Sequence, residues 1–317
     1  MKHWWRLLFP ALILSFLIAR INIEDFLAGI STANPSLICI ALVSSFMLVI
    51  LQGIRWYVLS LKYSPRINLY RILLLNFTAM SFDSFVPGKL GSDSYRLIES
   101  SKGGSKSEML GILMFLRMQT VVLGFLLTVA VFLTMVASTY SLLILCLGLL
   151  CFALVIAAPD LRPRGCFEKL AELSILQSII PEKFRSIFAV GSSVFFILLK
   201  DTGQLLVSSS LLLLYFISNA LLFWIVSQAF SIDTPFTTYL ISAPVILFMS
   251  NAPFTIQGRG VTELVALYFW GRAGVSTEQV LLVCFVVYGF SVFHSLCAGW
   301  TLFITRILQK ARCNERG

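Results

Sequence analysis

The feature that most restricts what this chain can fold into is a recurrence of apolar runs, each near the ~20 residues needed to cross ~30 Å of hydrocarbon. The runs occupy about 5–22, 37–59, 109–136, 140–158, 204–229 and 279–305. Over 317 residues, 58% are hydrophobic, 12% are charged and the mean hydropathy is +0.90. A soluble domain carries about twice that share of charge. So much apolar surface exceeds what one water-soluble core hides, and the expectation is an all-α membrane protein, a polytopic helical bundle.

The ends and the charges agree with that class. Lys2, His3 and Arg6 precede the apolar stretch Leu7 to Ala19 in the order of a signal peptide, but no A-x-A-like cleavage site follows, so an uncleaved first helix is expected. The net charge of +9 does not point to a nucleic-acid partner, because the Lys and Arg residues sit in short loops between the apolar runs. There they set topology and touch anionic headgroups. Cys39, Cys146, Cys151, Cys166, Cys284, Cys297 and Cys313 are scattered, mostly inside apolar runs and without metal-ligand spacing, and read as small core residues. No metal and no cofactor is expected.

Two further apolar stretches, about 70–86 and about 238–257, are broken by Pro and Gly with polar residues close by. Interrupted backbone at membrane depth is tolerated only where protein or a water-filled cavity surrounds it. Loop charge then restricts the topology. Lys62, Arg66, Arg71, Lys89, Arg96, Lys102, Lys106, Arg162, Arg164, Lys169, Lys183, Arg185, Lys310, Arg312 and Arg316 fall in one set of loops, while 24–36, 137–139 and 230–236 hold almost no Lys or Arg. The positive-inside rule accommodates both sets only if the broken stretches re-enter the side they came from, with both termini in the cytoplasm.

Each half then has about three spans and one re-entrant stretch, and an odd number of crossings turns the second half upside-down relative to the first. The expected organisation is a first repeat plus the first span of the second over 1–158, with its re-entrant part at about 70–96. A cytoplasmic linker with an interfacial helix follows over 159–203. The rest of the second repeat covers 204–306, re-entrant at about 238–263, and the tail is 307–317.

The first broken stretch ends in Asp83 and the run Pro87-Gly88-Lys89-Leu90-Gly91-Ser92-Asp93-Ser94-Tyr95-Arg96. Pro and Gly end one helix, and Gly-Ser-Asp opens another whose free N–H groups attract an anion; with Lys89 and Arg96 this makes a phosphate cradle. The same residues also read as a tight turn that obeys the positive-inside rule. The second stretch holds Asn251, Pro253, Gln257, Gly258, Arg259, Gly260, Thr262 and Glu263, with Arg259 and Glu263 spaced to face each other on one helical turn. It reads as an extracytoplasmic counterpart of the first site or as an exposed turn with an ion pair.

Arg117, followed by Gln119, lies several residues inside an apolar span, where an unpaired cation costs on the order of 3 kcal/mol. It either faces the bundle interior and meets a carboxylate or lipid phosphate, or snorkels to the interface. Arg55 beside Trp56 reads as an interfacial anchor that also has headgroups within reach. His294 reads as a hydrogen-bonded core residue rather than a proton relay. GxSxG, HExxH, Walker A and dinucleotide patterns are absent and only 15 acidic residues occur, so the expectation is not an enzyme.

Four places resemble the lysylphosphatidylglycerol synthase transmembrane-domain family. These are Gly53-Ile54-Arg55-Trp56; Phe85-Val86-Pro87-Gly88 through Gly91, Asp93 and Arg96; Arg117; and Pro253 through Gly258, Gly260, Val261 and Glu263. The resemblance implies flippase-like movement of lipids between leaflets, of aminoacylated phosphatidylglycerol where a synthase domain is attached and of polyprenyl-linked sugars in others. The chain ends soon after its last span, so a stand-alone member without the synthase domain is expected. Ser92 stands where a second Gly is common, and Thr262 where an Arg usually precedes the Glu. Arg259 is available to stand in for that Arg, or the substrate differs.

The combined expectation is a plasma-membrane lipid flippase with a phospholipid or polyprenyl-phosphate lipid as its partner, beside a lipid-modifying or glycosyltransferase protein. Lys89, Arg96, Arg117 and Arg259 would hold an anionic headgroup, and Asp93 and Glu263 would neutralise cations in the empty state. A small-solute transporter of the same architecture and a membrane-embedded enzyme acting on lipid-linked sugars through Asp83, Asp93 and Glu263 are the alternatives.

Overall fold

A computed structural model describes residues 24, 30–31, 33–62, 68–83, 90–100, 106–136, 194, 197–198, 201–251 and 258–314. All regular elements among them are helical. In chain order they are α1 (Pro35–Ser60), α2 (Leu69–Ala79) with a short 3-10 turn (Met80–Phe82), α3 (Leu90–Ser100), α4 (Lys106–Val136), α5 (Thr202–Ala229), α6 (Phe236–Ser250), α7 (Val261–Gly271) and α8 (Thr277–Asn314).

Four of these helices are long and apolar enough to cross a membrane: Pro35–Ser60, Lys106–Leu133, Thr202–Ala229 and Thr277–Thr305. They coincide with four of the six expected spans. The other two, 5–22 and 140–158, lie outside the described residues, as does nearly all of the expected linker. The helices keep large apolar side chains outward in stripes. On α1 these are Ile40, Val43 and Met47; on α8 they are Leu296, Trp300, Phe303 and Ile307, with Leu296 at 68% exposure. In water such continuous stripes would be an aggregation hazard, and in a bilayer they are the lipid-facing surface. Cys39 shares this exposure, whereas Cys284 is buried in the core as expected.

The described residues divide into two compact units, drawn from Met1–Gly53, Leu73–Arg96 and Tyr215–Gly317 in one case and from Ile54–Ile72 and Leu97–Leu214 in the other. In the first unit, α7 packs on both α6 and α8, and α8 also packs on the 3-10 turn after α2. Its core includes a ring cluster in which Trp270 sits 4.9 Å from Tyr239 and 5.3 Å from Phe223, with the Trp270 indole N–H donating to Ser242 Oγ at 2.9 Å. His294 is a core residue too, at 3.1 Å from Ser45 Oγ and against the Phe46 ring.

The second unit is organised by a buried arginine. Arg55, 6% exposed, donates to Ser208 Oγ at 3.1 Å, Thr120 Oγ1 at 3.0 Å, the Leu116 carbonyl at 3.0 Å and Gln119 Oε1 at 2.7 Å. Gln119 in turn donates to Ser209 Oγ at 2.7 Å. The expectation of an interfacial anchor is therefore corrected, since both Arg55 and the 1%-exposed Trp56 face inward. The cause is supply of acceptors: α4 and α5 present a side-chain amide, two hydroxyls and a backbone carbonyl to the guanidinium. At this unit's edge Lys62 Nζ meets Asp201 Oδ2 at 2.6 Å, and Asp201 Oδ1 accepts the Gln204 N–H at 3.1 Å, capping α5.

Candidate functional site

Most of the first broken stretch, Leu73–Arg96, and all that is described of the second belong to the first unit, and each is a pair of short helices whose arms touch. In the first, α2 and its 3-10 turn lead out and α3 leads back. The Phe82 and Tyr95 rings stack at 4.9 Å between centroids. Arg96 Nη2 donates to Asn76 Oδ1 at 2.7 Å, and Asn76 Nδ2 donates to the Val49 carbonyl of α1 at 2.8 Å, so the returning arm is tied to the outgoing arm and both to a span. Gly91 makes the approach possible, because a Cβ there would lie 2.5 Å from the Phe82 carbonyl oxygen.

The second stretch repeats these devices. α6 leads out, continued through Pro244 by its last turn, where Ser250 Oγ back-bonds to the Ile246 carbonyl and Asn251 Nδ2 donates to the Leu247 carbonyl at 2.6 Å. α7 returns. Gly258, at φ +78°, passes so close to α6 that a Cβ would lie 2.8 Å from Ser250 Cα, and the positive φ itself favours glycine.

The charged residues gather at the start of each returning arm. Asp93 lies in the first turn of α3 and Glu263 in the first turn of α7, where free N–H groups favour negative charge. Arg96 Nη1 pairs with Asp93 Oδ1 at 3.1 Å, both side chains largely shielded. Glu263 is fully buried; its Oε2 accepts the Gly260 N–H at 2.8 Å and the Tyr288 hydroxyl of α8 at 3.0 Å, while Oε1 has no hydrogen-bond partner. The Arg259 guanidinium lies over the Tyr288 ring, 5.5 Å from its centroid. Arg259 and Glu263 thus meet through Tyr288, a partner that spacing along the chain did not suggest.

Helix α8 serves both stretches. Tyr288 reaches Glu263, and Ser295, seven positions on, donates to the Met80 carbonyl at 3.3 Å. Asp83, just after that turn, is also buried, and its Oδ1 has no hydrogen-bond partner.

Of the residues singled out from the sequence, Asp83, Gly91, Asp93, Arg96, Gly258, Arg259, Gly260 and Glu263 lie on these two stretches. Pro87, Lys89 and Gln257 lie outside the described residues. Arg55 and Arg117 belong to the second unit, where Arg117 is half-buried on α4 and Arg55 holds the polar cluster. Asn76 and Tyr288 were not foreseen. A lone amide inside the apolar run LYRILLLNFTA is a legible signal for Asn76, because a buried amide requires partners. Nothing local distinguishes Tyr288 from the other aromatics of its span.

Comparison with protein families matches residues 3–299 to the family described as the lysylphosphatidylglycerol synthase TM region. Comparisons with curated proteins and with solved structures gave no match. A match over nearly the whole chain makes this chain a member of the lysylphosphatidylglycerol synthase TM region family.

Proposed function

We propose that the chain moves a lipid with an anionic or lipid-linked headgroup between leaflets, using its two broken helical stretches as re-entrant hairpins of an inverted repeat. The carrying observation is the parallel between them. Each has a glycine where its arms touch, an acidic residue in the first turn of its returning arm, and an arginine beside that acid.

Length supports re-entry. The returning arms α3 and α7 have 11 residues each, about 16 Å of helix, roughly half of a ~30 Å hydrocarbon core. Transporters of this kind bind at the midplane, where half-helix N-termini point at anionic groups. Here α3 and α7 supply the N-termini, Arg96 and Arg259 the cations, and Asp93 and Glu263 their neutralisation in the empty state. Release of Arg96 from Asp93 upon binding a phosphate exchanges one charge-assisted contact for another, which keeps the site from trapping its cargo. The apolar tail of the lipid stays in the bilayer. Family membership favours a lipid cargo over a water-soluble one, and the motif pair favours an aminoacyl-phospholipid or a polyprenyl-phosphate-linked sugar.

The test is a leaflet-exchange assay in reconstituted vesicles with fluorescent phosphatidylglycerol and a polyprenyl-phosphate lipid. Wild type is expected to speed exchange of one of them, and Arg96→Ala and Arg259→Ala to abolish that gain while the purified variants retain their helical content. Full exchange by both variants would overturn the assigned roles.

A further inference from the structure

Glu263 is a fully buried carboxyl with Oε1 unpartnered. Burial disfavours a bare carboxylate unless opposite charge or hydrogen bonds compensate it. Oε2 receives two donors, Gly260 N–H and Tyr288 O–H, and the nearby compensating charge is Arg259, held over the Tyr288 ring at 5.5 Å. The same arginine is the cation that an anionic headgroup would engage.

We propose that Glu263 is a proton-binding site coupled to headgroup binding: when a phosphate engages Arg259, Glu263 loses that compensation and takes up one proton, so the lipid travels with a proton. This rests on the lipid-binding reading above. The step is a simple protonation. A proton from water passes to Oε1, which has room in its hydrogen-bonding capacity, and the carboxylate becomes a neutral carboxylic acid. Gly260 and Tyr288 continue to donate to Oε2. The pair of bound phosphate and bound proton then places less net charge in the bilayer interior than the phosphate alone, which lowers the barrier to movement.

Among the described residues little around Glu263 would titrate instead. Among the described residues, helix α8 places the Tyr288 hydroxyl against Glu263 and carries Cys284, the turn before α7 carries Arg259, and α6 carries no charged residue. Tyr and Cys start from values well above that of a carboxyl group, so the carboxyl is the group that takes the proton.

The experiment adds dioctanoyl phosphatidylglycerol or farnesyl phosphate to the purified full-length protein in weakly buffered detergent with a pH-indicator dye. Phosphatidylcholine is the zwitterionic control, and native mass spectrometry of the same samples reports binding. Wild type is expected to take up close to one proton per bound anionic lipid, and Glu263→Gln to bind the lipid without uptake. Binding without uptake by wild type, or equal uptake by Glu263→Gln, would overturn the coupling while leaving the lipid site intact. Failure of both anionic lipids to bind wild type would overturn the lipid-binding reading and the coupling together.

Discussion

A methyl group is enough to test how closely the arms of each hairpin approach. At Gly91 a Cβ would meet the Phe82 carbonyl oxygen at 2.5 Å, and at Gly258 it would meet Ser250 Cα at 2.8 Å with φ at +78°. Backbone atoms cannot rotate aside, so Gly91→Ala and Gly258→Ala are each expected to cost about 1–3 kcal/mol. Gly289→Ala is the control. Its Cβ would meet nothing within 4 Å, and helix propensity alone makes it neutral or stabilising by up to ~1 kcal/mol. Thermal unfolding in detergent separates the cases, and three equal midpoints would contradict the contacts. Arg55 offers a second residue-scale test. Arg55→Met leaves Gln119, Ser208 and Thr120 short of a buried donor and is expected to lower stability by about 2–4 kcal/mol. An exposed interfacial arginine would cost far less. The sequence gives Arg55 as a cation near the end of an apolar run, but which side of a helix faces protein depends on acceptors supplied by α4 and α5, more than sixty positions away.

Among elements, the long spans were the most legible, because hydrocarbon thickness sets their length and apolar composition marks them directly. The breaks in the two short stretches were legible as well, from Pro and Gly in otherwise apolar runs. The tie between Asn76 and Arg96 was not, since it is a contact between arms. The link between α1 and α5 likewise depends on distant residues. Lys62, past the end of α1, holds the Asp201 carboxyl below the usual carboxylate range, chiefly through its hydrogen bond, with the Gln204 N–H adding to the effect. A carboxyl lowered in the folded state contributes stability that is fully present above its ordinary value of about 3.9 and is lost as pH falls through the lowered folded value. Asp201→Asn is therefore expected to remove a stabilisation of at most about 1 kcal/mol at neutral pH, because Lys62 is well exposed. The difference between wild type and variant should shrink below about pH 4. Unfolding midpoints across pH check this, and a difference that stays constant into acid would contradict it.

For the whole molecule, composition and loop charge specify a multi-pass helical protein, and the paired motifs specify its family, which the match over residues 3–299 then shows. Charge neutralisation inside the candidate site was only half legible. The Asp93–Arg96 pair follows helical spacing, but Arg259 and Glu263 are brought into relation by Tyr288, contributed by a later helix. The site thereby depends on α8, which also holds the turn after α2 through Ser295. The lipid-handling claim is tested most directly by native mass spectrometry of the purified protein with its co-extracted lipids, comparing wild type with Arg96→Ala and Arg259→Ala. The expected result is retention of one anionic or polyprenyl-phosphate lipid by wild type and its loss from both variants. The same bulk phospholipids on all three proteins would contradict a headgroup site at these arginines.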